Sequence, residues 1–269
     1  MASPNIFAGG LNLAGTVFQN GPTTLQLGGP VYLSGLVQWV DTINGDPANS
    51  GARPELPVDT LAQAITNSAA NGVIIIGEGS SETLTGSQST GANAGLSIFG
   101  CGTGSSRPRY TCGGAVAMWN LASAGVWIEG FYFPASTVAP TSRITVGADN
   151  ITIKDCYFEC GANDTTKAII VQGVCRIDGC SFVATASRPA IGIDINVATS
   201  DIVITDCVFD GGSYGWSDYA LKVSGAATRV RQFGNTFINQ SDIGHTVTAT
   251  TYQLFAPDMD GTSNVLLTA

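Results

Sequence analysis

The sequence predicts an all-β protein, a single-stranded parallel β-helix of about seven coils with a short capping helix at its N-terminal end. Three observations carry this expectation. A cysteine followed two residues later by phenylalanine returns in "ITIKDCYF" (151–158), "RIDGCSF" (176–182) and "IVITDCVF" (202–209). Stacked on their aliphatic position, these segments align Ile128, Ile153, Ile177 and Ile204 at intervals of 25, 24 and 27 residues. A second aliphatic pair accompanies each repeat: Ile144/Val146, Ile169/Val171, Ile191/Ile193 and Leu221/Val223. Each repeat therefore holds at least two short alternating strands separated by Gly, Asn, Asp or Ser turns.

Repeat length selects the architecture. Periods of about 20–50 residues mean solenoids or propellers. A propeller blade of four strands needs about 40 residues, too many for this repeat, and the Leu/Asn consensus of leucine-rich repeats is missing. In a parallel β-helix each turn lies on the preceding one at about 4.8 Å, so like residues stack as inward ladders. The ladder extends upstream to Ile98 and Cys101, with Thr103 in the Phe slot, and downstream to Asn235 and Phe237, with Gln232 in the aliphatic slot. Cysteine in such a ladder acts as a small hydrophobe beside the ring. Cys175, aligned with Ile151, reads the same way.

The remaining elements follow in order. Residues 1–36 are Gly-rich and weakly alternating, an N-terminal arm or attachment region. Residues 37–72 form a lead-in and capping helix. In "PVDTLAQAITNSAANG", Asp59 or Thr60 is the N-cap; Leu61, Ala64, Ile65 and Ala69 make an apolar stripe, and Asn71-Gly72 is the stop. "VIIIGEG" (73–79) is a buried first strand, and coils run to 240. Residues 241–269 leave the pattern and read as a closing or interchain segment.

Composition narrows the function classes. The 269 residues are 44% hydrophobic and only 12% charged, about half the usual charged share. A net charge of -9 from 20 acids and 11 bases argues against nucleic acid and anionic membranes, which need clustered Lys and Arg. "MASPNIFAGGLNLAG" lacks the basic start and long apolar core of a secretory signal, and no run approaches the roughly 18 apolar residues of a spanning helix. Seven cysteines without CxxC spacing suit neither a disulfide framework nor zinc, and a single His245 removes most histidine chemistry. No cofactor and no metal is expected.

The segment "VQWVDTINGDPANSGARPELPVDTLAQAI" (37–65) resembles the lead-in motif of the pectate-lyase-like right-handed β-helix superfamily. The matching residues are Val40-Asp41, Gly45-Asp46, Gly51, Pro54, Pro57, Thr60-Leu61 and Ala64-Ile65. The resemblance covers roughly residues 37–240, and versions close to this one are common in bacteriophage tail spikes and other virion proteins. It implies a non-enzymatic virion protein decorating head or tail, made in the bacterial host cytoplasm. It also implies a homotrimer that touches other virion proteins, with host surface glycans as a candidate contact. The alternative is a tail-spike depolymerase. The Asn-Thr-Asp, Asp-Asp, Gly-His-Gly and Arg-Ile-Lys patterns of polygalacturonase-like members do not occur here. Arg107 and Arg109 in "SRPRYT" have no acidic cluster in sequence to match that of pectate lyases.

Candidate site residues are few. Asp155, Asp178 and Asp206 flank core positions and read as turn or surface acids. Asp194 projects outward on another strand. "GCGTGSS" (100–106) is a turn, because a phosphate loop needs a Lys-Ser/Thr and a helix. The richest loop is "DGGSYGWSDYA" (210–220), where Tyr214, Trp216 and Tyr219 accompany Asp210 and Asp218. Exposed aromatics beside acids suit carbohydrate binding, since rings stack on sugars and carboxylates accept hydroxyl hydrogens. They are also what a subunit interface uses, and interface or local packing is the role expected first for this loop.

Overall fold

The computed structural model describes residues 37–136, 138–161, 167–185, 191–197, 201–213, 215–216, 218–224 and 229–239, and the backbone of strands Leu25–Leu27, Val31–Leu33, Tyr252–Leu254 and Met259–Asp260. The chain winds as a parallel β-helix with three faces. The first sheet has nine strands, the second eight and the third six. Each full turn contributes one strand to each face, as in Ile151–Lys154, Tyr157–Cys160 and Lys167–Val171. The six-stranded third face counts six complete turns among the described residues, against the seven coils expected. Strands Tyr252–Leu254 and Met259–Asp260 continue the first and second faces in parallel.

The ladders carry the fold. Ile98, Ile128, Ile153, Ile177 and Ile204 pair successively in register, preceded by Ile74 and followed by Gln232. Phe133, Phe158, Phe182, Phe209 and Phe237 stack with ring centroids 4.8–4.9 Å apart and planes within 3–7°. That spacing is the rise of the sheet itself, so the backbone sets the ring separation. Cys156, Cys180 and Cys207 are buried beside the rings, and all seven cysteines are free thiols. Burial pushes the Cys156 and Cys180 thiols well above the usual range, which keeps them protonated and inert. Cys175 pairs with Ile151 and Ile202 as expected.

Three ladder placements depart from expectation. The Phe slot before Phe133 belongs to Tyr110, because Tyr132 pairs with Arg109, and Thr103 is exposed. The Cys slot there holds Pro108, whose carbonyl accepts from Tyr132 N–H as Phe131's does from Tyr157. An excursion containing the 3-10 turn Gly104–Ser106 separates Ile98 from that slot, so Cys101 ends outside the sheet in a small apolar cluster. On the third face the pair in register is Ile193/Ile195, not Ile191/Ile193, since Ile169 and Val171 oppose those residues.

The corner between the first and second faces repeats one backbone state. Gly130, Asp155, Gly179, Asp206 and Gly234 occupy it with φ of 87°, 47°, 62°, 54° and 69°. This left-handed region is cheap only for Gly and, less so, Asn or Asp. Glycine and aspartate alternate there, and a Cβ on Gly179 would lie 2.6 Å from Asp155 Oδ1.

The helix Leu61–Asn67 closes the N-terminal end. Thr60 Oγ1 accepts from Gln63 N–H at 3.4 Å, and Leu61, Ala64 and Ile65 are buried. Ala69 is exposed and outside the helix. The stop comes before Asn71-Gly72, because Ser68 turns to extended backbone and its N–H bonds Ile65 O. Val73–Ile76 is fully buried, and strand Val37–Val40 pairs above it, so the first face starts earlier than "VIIIGEG".

Candidate functional site

The aromatic loop does not present its rings together. Tyr214 lies outside the described residues. Trp216 is only 2% exposed and belongs to the core. A Cβ on Gly192 would lie 2.5 Å from Ala220 O and 3.4 Å from Trp216 Cη2, so the close backbone of the next turn demands glycine there and the indole packs beside it at ordinary contact distance. Trp216 is therefore a packing residue, in line with local packing and not with an exposed glycan contact. Asp218 and Tyr219 do border the third face. Lys222 Nζ lies 2.6 Å from Asp218 Oδ2 and 5.7 Å from the Tyr219 ring centroid. The hydrogen bond from Lys222 to Asp218 raises the lysine pKa. Asp194 faces outward as expected, yet its side chain is 1% exposed. It pairs with Lys167 and accepts from Ser224 Oγ at 2.5 Å.

The other acids serve the scaffold. Asp155 and Asp206 are corner residues. Asp178 accepts from Thr205 Oγ1 at 2.6 Å and from Arg176 Nη2 at 3.2 Å. Arg107 Nη1 donates to Asp155 O at 2.7 Å, tying the 101–108 excursion to the corner. Among the described residues no three His, Cys, Asp or Glu side chains gather as a metal site.

A different surface assembles on the second face. Arg109, Tyr132, Tyr157, Ser181 and Val208 follow one another in register, and Glu159, Val183 and Asp210 form the neighbouring row. The Arg109 guanidinium sits 4.9 Å from the Tyr132 ring centroid, within cation–π range. Tyr132 and Tyr157 meet edge to face at 5.4 Å and 62°. Burial and the Glu159 carboxylate, which accepts from the Tyr132 phenol, raise the Tyr132 pKa. Burial, Glu159 and Asp210 raise that of Tyr157. Backbone bonds steady both acids: Ala135 N–H donates to Glu159 Oε2 at 3.3 Å and Gly212 N–H to Asp210 Oδ1 at 2.8 Å. Two half-exposed rings, a guanidinium and two carboxylates thus share one rigid face.

This set was present in the sequence as the outward partners of ladder residues. Tyr132 and Tyr157 each precede a stacked phenylalanine, and alternation alone sends them outside. Arg109 comes alongside only because the excursion shifts the register, which spacing does not reveal.

Neither a protein-family model nor a curated protein matches the sequence significantly. Two solved structures are similar. A rhamnogalacturonan lyase aligns with 12% identity and a TM-score of 0.50, over 76% of this chain and 69% of that one. A pectin methylesterase from carrot aligns with 11% identity and a TM-score of 0.44, over 89% and 90%. At such identities the likeness to the lyase is one of fold. The chain has the pectate-lyase-like parallel β-helix fold.

Proposed function

We propose that this chain is a structural, non-enzymatic β-helix of a bacteriophage particle, a homotrimer that presents its second face to host surface glycans. The observation that carries the glycan contact is the Tyr132–Tyr157 pair flanked by Arg109, Glu159 and Asp210. Ring faces take the apolar side of a sugar, and the fixed charges take its hydroxyls. Placement on the particle is supported by the resemblance of residues 37–65 to virion β-helices. The structural role is supported by the acids committed to corners and ion pairs, such as Asp155, Asp206, Asp178 and Asp194.

Glu159 and Asp210 are two rungs apart, about 10 Å at the sheet rise. This is the spacing of their backbones, whereas glycosidase pairs are defined by carboxyl groups ~5–5.5 Å apart in retaining enzymes and ~6.5–9.5 Å apart in inverting ones. The face binds without cleaving, and an assay of oligosaccharide release separates this from the depolymerase reading.

Titration of the purified protein with host surface polysaccharide tests the reading. Tyr132→Ala and Tyr157→Ala are each expected to weaken binding by about 1–3 kcal/mol, with no oligosaccharide released by the wild type. Unchanged affinity in both variants removes this face. Release that Glu159→Gln or Asp210→Asn abolishes replaces the proposal with the depolymerase reading. Gold-labelled antibody on particles tests placement, and no label on any particle refutes it.

A further inference from the structure

The outer side of the first face is apolar at its N-terminal end. Ile74 and Ile76 point into the core, whereas Val73 and Ile75 form a separate cluster with Val37, Trp39, Phe99 and Cys101. Outward residues of a sheet are normally wet, yet Val73 is 0% and Ile75 3% exposed. Something covers them.

The chain itself carries a matching surface. Strands Leu25–Leu27 and Val31–Leu33 pair antiparallel with Leu25 opposite Leu33, Gln26 opposite Tyr32 and Leu27 opposite Val31. Positions directly opposite share a side and successive positions alternate. The four aliphatic positions therefore fall on one side of the hairpin, and Gln26 and Tyr32 on the other. A lone two-stranded hairpin is marginal in water and needs a surface for its apolar side. Between Leu33 and Val37 the chain can span at most about 14 Å, and Val37 is already part of the apolar cluster.

We propose that the apolar side of hairpin 25–33 docks on the outer side of the first face, over Val73 and Ile75, within the same chain. The hairpin is then part of the body, and only residues 1–24 remain as a tether for attachment. This inference is independent of the glycan reading.

Cys101 reports directly on the covered cluster, because it alone of the seven cysteines is not buried. In the full-length protein, Leu27→Asp with Leu33→Asp should speed reaction of one thiol per chain with a maleimide by more than about tenfold, the ratio implied by losing one buried leucine. Gln26→Asp with Tyr32→Asp, on the opposite side, should leave the rate unchanged. Equal rates in both double variants overturn the proposal. A second measurement covers the case in which the aspartates unfold the body. A short bismaleimide applied to the Leu27→Cys protein should link the introduced thiol to Cys101 within one chain. A link between chains assigns the surface to another copy, and no link assigns it to neither; both overturn the proposal.

Discussion

Gln232 occupies an aliphatic slot below Ile204 and above Leu254, is 0% exposed, and has no hydrogen-bond partner at Nε2 or Oε1 among the described residues. Gln38, at the other end of the same column, leaves its buried Oε1 unmet. Buried polar atoms without partners cost about 1–3 kcal/mol. Gln232→Leu is therefore expected to stabilise the fold by roughly that amount, read as a higher urea midpoint at unchanged slope. The comparison residue is Asn235, three positions on. Its Nδ2 donates to Ile204 O at 3.1 Å and its Oδ1 accepts from Cys207 N–H at 3.0 Å. Asn235→Leu would strand both backbone groups, so it should lower the midpoint. If both variants moved it the same way, polar satisfaction would not be what separates the two sites. Sequence alignment placed both residues in their columns. It could not show that one amide is served by the backbone and the other is not, because that depends on corner geometry one turn away.

At the scale of the element, the capping helix and the first turn share one charge. Leu61 N–H donates to Glu82 Oε2 at 3.2 Å, so an acid from the second face serves the helix N-terminus. Burial raises the Glu82 pKa above 4.5, the Leu61 bond opposes this, and Asp59 adds to it. A carboxyl whose folded pKa is raised contributes stability that is full below the unfolded value and is lost as pH rises through the folded one. Thermal midpoints measured upward from about pH 4 should fall for the wild type across that window, beyond any trend shared with Glu82→Gln. A glutamine oxygen can still accept from Leu61, so the cap should survive. Parallel curves for the two proteins would show that Glu82 is ionised freely in the fold. Helix start and strand register were legible because caps and a fixed rung leave local marks, as at Thr60 and along Ile128 to Ile204. The stop at Asn67 was not, because Ser68 leaves the helix where Asn71-Gly72 carried the stronger signal. The Tyr110 slot was hidden by the 101–108 excursion, whose length has no period.

A β-helix is one-dimensional: each turn touches its neighbours, and the two ends are the places where core and strand edges meet solvent. The whole-molecule architecture was legible for that reason, since one repeated turn implies the stack. The candidate surface was less so. Ladder residues announce themselves by recurrence, whereas Tyr132, Tyr157 and Arg109 meet only once three strands are in register, and the loop that looked exposed sends Trp216 inward. End protection follows from the same geometry. Leu61 and Ile65 bury their side chains under the helix, over the strand Val37–Val40 and the start of the third face. An aspartate at both positions would desolvate two charges or lift the helix away, and lifting is the cheaper course. The turns below would keep their own ladders, so far-UV circular dichroism should change little. The opened end would present apolar core and unpaired strand backbone, which pair readily with a like surface. Two such ends are self-complementary about a twofold axis, so the Leu61→Asp, Ile65→Asp protein should double the mass of whatever assembly the wild type forms, reversibly with dilution. Light scattering at micromolar concentration reads this directly. An unchanged mass with an intact stack would mean that the helix is dispensable as a barrier, and that the lead-in residues 41–58, bonded along Trp39 and Asp41, close the end by themselves.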